Sequence, residues 1–335
     1  PLVGILLTSI ALAVAAIPEG LPAVVTVTLT IGMRRIAKHR AIVKKLAAVE
    51  TLGCSTVICS DKTGTLTMNQ MTARAVVFQG QCFKISGEGY GAVGEITPED
   101  GGQLPDFTQL LYPAALTNNS SIRDTRLIGD PTEGALLALA AKGGVDVERL
   151  RSHCPRIAEI PFDSAHKFQA TFHYDGDVVR LYVKGAPDVL LNCAANQCGA
   201  TGEVALDSQF WHSENEHLAH QAMRVLAVAI RSLPAKDFDP AGNLLDHVQN
   251  LTFVGLIGII DPPRPEAREA IALCHRANIQ VKMITGDHKI TAAAIARELG
   301  LQGEVLEGRE LDNMSNEALA KCINNVVVFA RVAPE

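Results

Sequence analysis

Cys59-Ser60-Asp61-Lys62-Thr63-Gly64-Thr65-Leu66-Thr67 is the stretch from which the rest of the chain is read. The apolar, β-branched run Thr56-Val57-Ile58-Cys59 leads into it and predicts a short buried strand. Such a strand delivers Asp61 to its C-terminal end, where open α/β sheets place their chemistry. Lys62, three threonines and Gly64 follow within six positions. A carboxylate in that setting can attack phosphorus and hold a phosphoryl group as an acyl phosphate, splitting one difficult transfer into two easier ones. Backbone N–H groups freed by Gly64, the threonine hydroxyls and the Lys62 charge would receive the phosphoryl oxygens. The plainer reading is a polar turn whose aspartate caps a helix.

Upstream, Pro1 to Ala16 carries no charge, and after Ile17-Pro18-Glu19-Gly20-Leu21-Pro22 apolar character resumes to Gly32. The run is longer than the ~20 apolar residues a span needs, so 1–33 is expected to be a transmembrane helix broken at Pro-Glu-Gly-Leu-Pro. It has no basic n-region and so does not read as a signal peptide. The cluster Arg34, Arg35, Lys38, His39, Arg40 puts residues from about 34 onward in the cytoplasm and makes the lipid bilayer a partner. Glu19 is costly inside a membrane, about 2.5–3.5 kcal/mol on insertion scales, which points to function. Prolines on either side free backbone carbonyls beside that carboxylate, the makings of an oxygen-ligand site for a transported cation. A kinked helix whose glutamate pairs with a neighbouring helix is the alternative. From Met33 to Leu52 the pattern turns basic and then amphipathic, predicting a helical stalk.

Downstream, 73–85 alternates like strands, and 86–106 is rich in glycine and acid. Gly89-Tyr90-Gly91-Ala92-Val93-Gly94 matches a dinucleotide fingerprint only in spacing, since neither a strong strand nor a helix flanks it; it reads as a hairpin loop. Helices are expected at Leu110–Thr117 and Gly134–Lys142, the second capped by Asp130 or Thr132 with Pro131 at its start. Ile160-Pro161-Phe162-Asp163-Ser164-Ala165-His166-Lys167 precedes strands at 168–174 and 178–183. Phe162 could stack on a purine ring and Lys167 could meet phosphate oxygens; a core phenylalanine and an edge-strand lysine fit the spacing equally well. In Tyr182-Val183-Lys184-Gly185-Ala186-Pro187-Asp188, Gly185 lets a ligand approach the backbone and Lys184 supplies charge. A helix over 212–223 and a strand over 224–229 follow, then a polar loop at 234–249.

Leu251–Ile260 predicts a buried strand, closed by Asp261-Pro262-Pro263-Arg264, whose prolines suit a hinge. Helix 266–277 and strand 279–284 complete a βαβ unit ending in Thr285-Gly286-Asp287, ahead of a helix at 289–299 whose N-terminus could face an anion. A last strand is expected at 326–330.

With 335 residues and 47% hydrophobic content, two to three domains are plausible. One tryptophan, 4% aromatics and a net charge of −6 argue against a nucleic-acid partner. Eight scattered cysteines, Cys193 and Cys198 the closest suggestive couple, lack partners at zinc-like spacing and read as reduced thiols.

Asp61-Lys62-Thr63-Gly64-Thr65-Leu66-Thr67, Thr285-Gly286-Asp287, Lys184-Gly185-Ala186-Pro187, Asp261-Pro262-Pro263-Arg264 and Pro18-Glu19-Gly20-Leu21-Pro22 together resemble the P-type cation-transporting ATPases of the Ca²⁺ and Na⁺,K⁺ type. The resemblance implies a Rossmann-like, haloacid-dehalogenase-type α/β phosphorylation domain (34–70 and 258–335) interrupted by an α+β antiparallel-sheet nucleotide-binding domain (71–257). It implies catalysis by Asp61, Lys62, Thr63, Thr285, Gly286 and Asp287, with Mg²⁺ on Asp61 and the Thr63 carbonyl. ATP would be held by Glu133, which matches an acid reaching the adenine, and by Phe162, Lys167, Lys184, Gly185 and Arg224. The hinge residues Asp261 and Arg264 are counted on the nucleotide side. Glu19 would bind the transported cation, Ca²⁺ first. Asp188 replaces the usual glutamate, His288 stands where asparagine is commoner, and Ser164 or Ala165 stands where many relatives carry an arginine. The last difference implies an altered grip on ATP. The family continues with a lysine and a Gly-Asp-Gly-x-Asn-Asp loop that supplies a Mg²⁺ ligand, and with an actuator domain and further membrane helices. Those are expected to be the remaining parts of the same pump, and the chain alone is expected to bind nucleotide without completing a cycle. A soluble haloacid-dehalogenase-like phosphatase and a non-catalytic nucleotide-binding module are the competing readings. The phosphatase is disfavoured because Thr63 stands where such enzymes commonly carry a second acid, and because of the apolar segment.

Overall fold

A computed structural model describes residues 2–16, 18, 20–124 and 126–332. It divides into two compact units, Pro1–Ile58 with Cys274–Gln280, and Cys59–Leu273 with Val281–Glu335.

In the first unit the apolar run forms two helices, Leu2–Ala15 of 14 residues and Leu21–Lys38 of 18. Pro22 lies in the first turn of the second helix, where its missing N–H leaves no helix bond unmade. Hydroxyls of Thr8, Ser9, Thr26, Thr28 and Thr30 donate to carbonyls four residues back, so they are satisfied without water. Among the described residues no helix is long and apolar enough to cross a membrane. The expected single broken span is therefore two pieces: one is short, and the other ends in Arg34, Arg35 and Lys38. Ile17 and Glu19 lie outside the described residues, so the predicted cation ligand has no structural account. The expected continuous stalk is also interrupted. The second helix stops at Lys38, Arg40 takes a left-handed backbone (φ 62°), and a short helix restarts at Ala47–Gly53.

The chain forms two main sheets, the larger of them wholly within the second unit. The smaller has the order Val57–Asp61, Gln280–Thr285, Val326–Ala330, Glu304–Glu307, with the last three strands parallel. Among the described residues Val57–Asp61 stands at the edge of this sheet, and Val57 and Ile58, expected to be buried, are about two-fifths exposed (41% and 39%). An apolar run alone does not distinguish a central strand from an edge one.

The larger sheet has ten strands, mostly antiparallel, and Leu251–Ile260 runs through its middle. That strand is buried on both faces, which is why its sequence is continuously apolar rather than alternating. One face packs on helices Thr108–Leu116, Pro131–Lys142 and Val147–His153 around Phe78, Phe83, Leu110 and Leu136. The other packs on Pro187–Cys193 and Ser208–His220 around Phe172, Leu181, Trp211 and Phe253. The chain enters this sheet after Asn69 and leaves it at Asp261, and the two crossings touch where the Met68 N–H donates to the Pro262 carbonyl at 3.0 Å. All eight cysteines are free thiols.

Phe168–Asp175 alternates as expected, yet both of its faces are covered. Phe168, Ala170 and Phe172 enter one core, while Gln169, Thr171 and His173 are also buried. His173 Nδ1 lies 2.8 Å from the Cys154 carbonyl, and Nε2 is buried with no hydrogen-bond partner among the described residues. Burial pushes this imidazole down from 6.5 to about 4, so it is neutral at physiological pH and its Nδ1–H donates to Cys154. The unfolded chain binds the proton first, so stability contributed by neutral His173 is complete above pH 6.5 and is lost as pH falls toward about 4. The expected loss is on the order of 3 kcal/mol, read as the pH dependence of the urea midpoint. His173→Phe should flatten that slope; an unchanged slope would show that other groups cause it.

Candidate functional site

Two constellations form within the second unit. The first gathers around the Asp61 loop. Gly64 closes the turn with φ 72°, a conformation that disfavours any Cβ, and the Thr63 N–H donates to Asp61 Oδ1 at 3.2 Å. Lys62 is buried, and its ammonium sits 2.7 Å from Asp287 Oδ2 and 3.9 Å from Asp261 Oδ2. The buried Thr67 hydroxyl accepts from the Gly64 N–H and lies 2.6 Å from Asp261 Oδ2, to which it donates. Asp261 Oδ1 takes the Gln70 N–H. Arg264 then clasps the loop from outside, its guanidinium donating to the carbonyls of Thr67 and Gly64.

Thr285 is buried at the end of its strand, and its hydroxyl accepts the Asp287 N–H at 3.1 Å. The geometry thus brings Lys62, Asp261 and Asp287 together, 225 residues of chain apart at the extremes. Asp261 and Arg264, expected on the nucleotide side, belong structurally to this loop and not to the cavity described next. Asp61 itself is exposed, its carboxylate turned into the loop only through Thr63.

The second constellation is a cavity of about 750 Å³ in the larger-sheet part. Its walls include Glu133, Phe162, Lys167, Lys184, Gly185 and Arg224, the six residues picked from four separate sequence motifs. The Phe162 ring is 65% exposed and so available to a stacking partner. Lys184 Nζ pairs with Glu133 Oε1 at 2.8 Å. Glu133 Oε2 accepts from the Asn119 N–H at 2.9 Å and the Ser120 hydroxyl at 2.8 Å. Burial opposes ionisation of Glu133, but the adjacent Lys184 ammonium and the Ser120 and Asn119 donors hold its carboxyl below the usual value. Burial likewise draws Lys184 down, with Glu133 working against it. Arg224 donates to the Thr132 hydroxyl at 3.2 Å.

Asp130 caps the Pro131–Lys142 helix through the N–H groups of Thr132 and Glu133, as expected, and also lines the cavity. Gly185 is needed for a reason other than ligand approach: a Cβ there would lie 2.6 Å from the Lys167 carbonyl, in the turn just before the neighbouring strand. Sequence reading missed Asn119, Ser120 and Gln169. Gln169 is 2% exposed, lines the cavity, and its amide makes no hydrogen bond among the described residues. The signal was a glutamine at an inward position of a strand.

No three His, Cys, Asp or Glu side chains converge as a metal cage among the described residues. Asp61 is exposed and offers carboxylate oxygens, the donor chemistry that a hard ion such as Mg²⁺ takes together with substrate oxygens.

Residues 106–266 match the family described as P-type ATPase, cytoplasmic domain N. The chain is similar to the cation-transporting ATPase pma1 of Synechocystis, at 46% identity over 97% of this chain and 38% of that protein. It is similar to a calcium-transporting ATPase of Bacillus subtilis, at 45% identity over 98% of the chain and 38% of that protein. It also resembles the mouse calcium-transporting ATPase type 2C member 1, at 40% identity over 97% of the chain and 35% of that protein. The chain therefore spans little more than a third of the length of these relatives.

Proposed function

We infer, for a chain that belongs to the P-type cation-transporting ATPases, that its second unit binds ATP in the 750 Å³ cavity and accepts the γ-phosphoryl group on Asp61. The observation that carries this reading is the convergence of Glu133, Phe162, Lys167, Lys184, Gly185 and Arg224 on one cavity. A cavity of that size is in the range of small-molecule sites. Phe162 offers a face to the base, Glu133 and Gln169 offer polar groups to its edge, and Lys167, Lys184 and Arg224 supply positive charge for phosphates.

In the transfer, an Asp61 carboxylate oxygen attacks the γ-phosphorus, the bond from that phosphorus to the bridging oxygen breaks, and ADP leaves with the electron pair. Lys62, which Asp261 and Asp287 hold in place, neutralises developing negative charge on the phosphoryl oxygens. Thr63, Thr285 and Gly286 complete the surroundings of that group. Mg²⁺, when bound, would sit on Asp61 and the Thr63 carbonyl and supply charge neutralisation for the phosphates.

The segments 34–70 and 258–335 form the phosphorylation domain and 71–257 the nucleotide domain. Residues 1–33 lie in a bilayer as part of a larger, multi-pass pump, where Glu19 binds the transported cation. Ca²⁺ leads because the Bacillus and mouse relatives are named as calcium transporters. Phosphorylation would bias the membrane segment between two access states.

The test is label transfer from γ-labelled ATP to the full-length protein, with Ca²⁺, Na⁺, K⁺ and Mn²⁺ supplied singly. Hydroxylamine-labile label that depends on one ion supports the reading and names the ion. ATP binding without label under any ion would instead favour a non-catalytic nucleotide module.

A further inference from the structure

Resting on the reading of the cavity as a nucleotide site, we infer that Arg156, assisted by Arg151, is a positioning residue that builds the wall holding Glu133 and thereby sets nucleotide affinity. Neither arginine lines the cavity; both stand behind it. The wall is the loop 117–120, in which Thr117, Asn118 and Ser120 are essentially inaccessible. It presents one backbone N–H and one hydroxyl to Glu133 Oε2, from Asn119 and Ser120. A loop buried this deeply must satisfy its own carbonyls, and no sheet or helix ladder does so here.

Two guanidinium forks do. Arg156 Nη2 donates to the carbonyls of Leu116 and Asn118, both at 2.9 Å. Its Nη1 donates to Asn119 Oδ1 at 2.6 Å and to Glu159, which fixes the fork. Arg151 Nη2 adds bonds to the carbonyls of Asn118 at 3.2 Å and Ser120 at 3.0 Å. The loop then closes on itself and on the helix start: the Ser120 N–H donates to Asn118 Oδ1, Asn118 Nδ2 to the Glu133 carbonyl, and the Asp130 N–H to Ser120 Oγ. The backbone that carries both groups orienting the Glu133 carboxylate from this side, the Asn119 N–H and the Ser120 hydroxyl, is therefore held by the two arginines. Lysine cannot replace the fork, because one ammonium has no planar array of donors with which to span four acceptors.

The experiment is a double-mutant cycle on MgATP affinity, measured by calorimetry on the whole chain, with Arg156→Ala and Glu133→Gln singly and together. Loss of the preorganised donors should weaken binding about tenfold in Arg156→Ala, and Arg156→Lys should recover no more than a small part of it. In the Glu133→Gln background the same Arg156→Ala change should cost less than about twofold, because the group through which it acts is already altered. Arg151→Gln should move affinity in the same direction by a smaller factor. Fluorescence of the single, fully buried Trp211 reports whether each variant has folded.

Equal losses in both backgrounds, or full rescue by Arg156→Lys, would overturn the inference and leave only a diffuse structural or charge effect. A parent chain that binds no ATP would instead refute the nucleotide reading itself, a separate failure.

Discussion

Asp61→Asn is expected to abolish covalent labelling by γ-labelled ATP while leaving nucleotide affinity within about twofold of the parent. The two effects separate because the residue is not in the cavity that holds Glu133, Phe162 and Lys184. An asparagine amide preserves the shape of the turn, and its oxygen can still accept the Thr63 N–H now donated to Asp61 Oδ1. It has no anionic oxygen with which to attack phosphorus, and no covalent intermediate can form. The neighbouring carboxylates are not substitutes: Asp261 is committed to Thr67 and Gln70, and Asp287 to Lys62. Residual label at more than about one per cent of the parent level would mean that another nucleophile is at work.

Lys184→Met should reduce ATP affinity by about a hundredfold and cost on the order of 3 kcal/mol of stability. Lys184 and Glu133 form a buried pair, with side chains 10% and 14% exposed. Methionine preserves much of the buried stem but strands the Glu133 carboxylate beside a low-dielectric core. The pH dependence fixes the sign. In the parent, the Glu133 carboxyl lies below its ordinary value, so its contribution is present above that value and is lost as pH falls through the depressed one. Without the ammonium, burial dominates and the carboxyl moves up, so the folded variant takes up a proton before the unfolded chain does. The stability gap between parent and variant should therefore be widest near neutrality and narrow below about pH 5. Paired urea titrations across that range would measure it, and a gap that widens on acidification would contradict the pairing.

What the sequence displayed plainly was chemistry written in short, contiguous runs. Asp61-Lys62-Thr63-Gly64, Thr285-Gly286-Asp287 and Lys184-Gly185 each sit at a strand end or turn, so strand and turn signals together located them. The strand at Leu251–Ile260 and the cap at Asp130 were equally local matters of apolar run and helix-start chemistry.

Long-range partnerships were illegible. Lys184 meets Glu133 across 51 residues, and Arg156 supports a loop some 40 residues earlier. Arg156 had no motif to mark it, because its function is to satisfy carbonyls that only the folded loop exposes. The exposure of Val57 and Ile58 was invisible for the same reason: burial depends on which strands lie alongside. Alternation in Phe168–Asp175 suggested one wet face, yet Gln169, Thr171 and His173 are buried, and Thr117 meets Thr171 and the Cys154 carbonyl meets His173 on that face. The break after Lys38 also escaped notice, since amphipathic spacing continues across it while the backbone turns at Arg40.

The central claim is that the cavity walled by Glu133, Phe162 and Lys184 takes ATP, and the most direct measurement is calorimetric titration of the chain with MgATP in three forms. The parent and Asp61→Asn should show the same saturable, single-site binding, and Lys184→Met should show almost none. Absence of binding in the parent, or binding that survives Lys184→Met unchanged, would contradict the account.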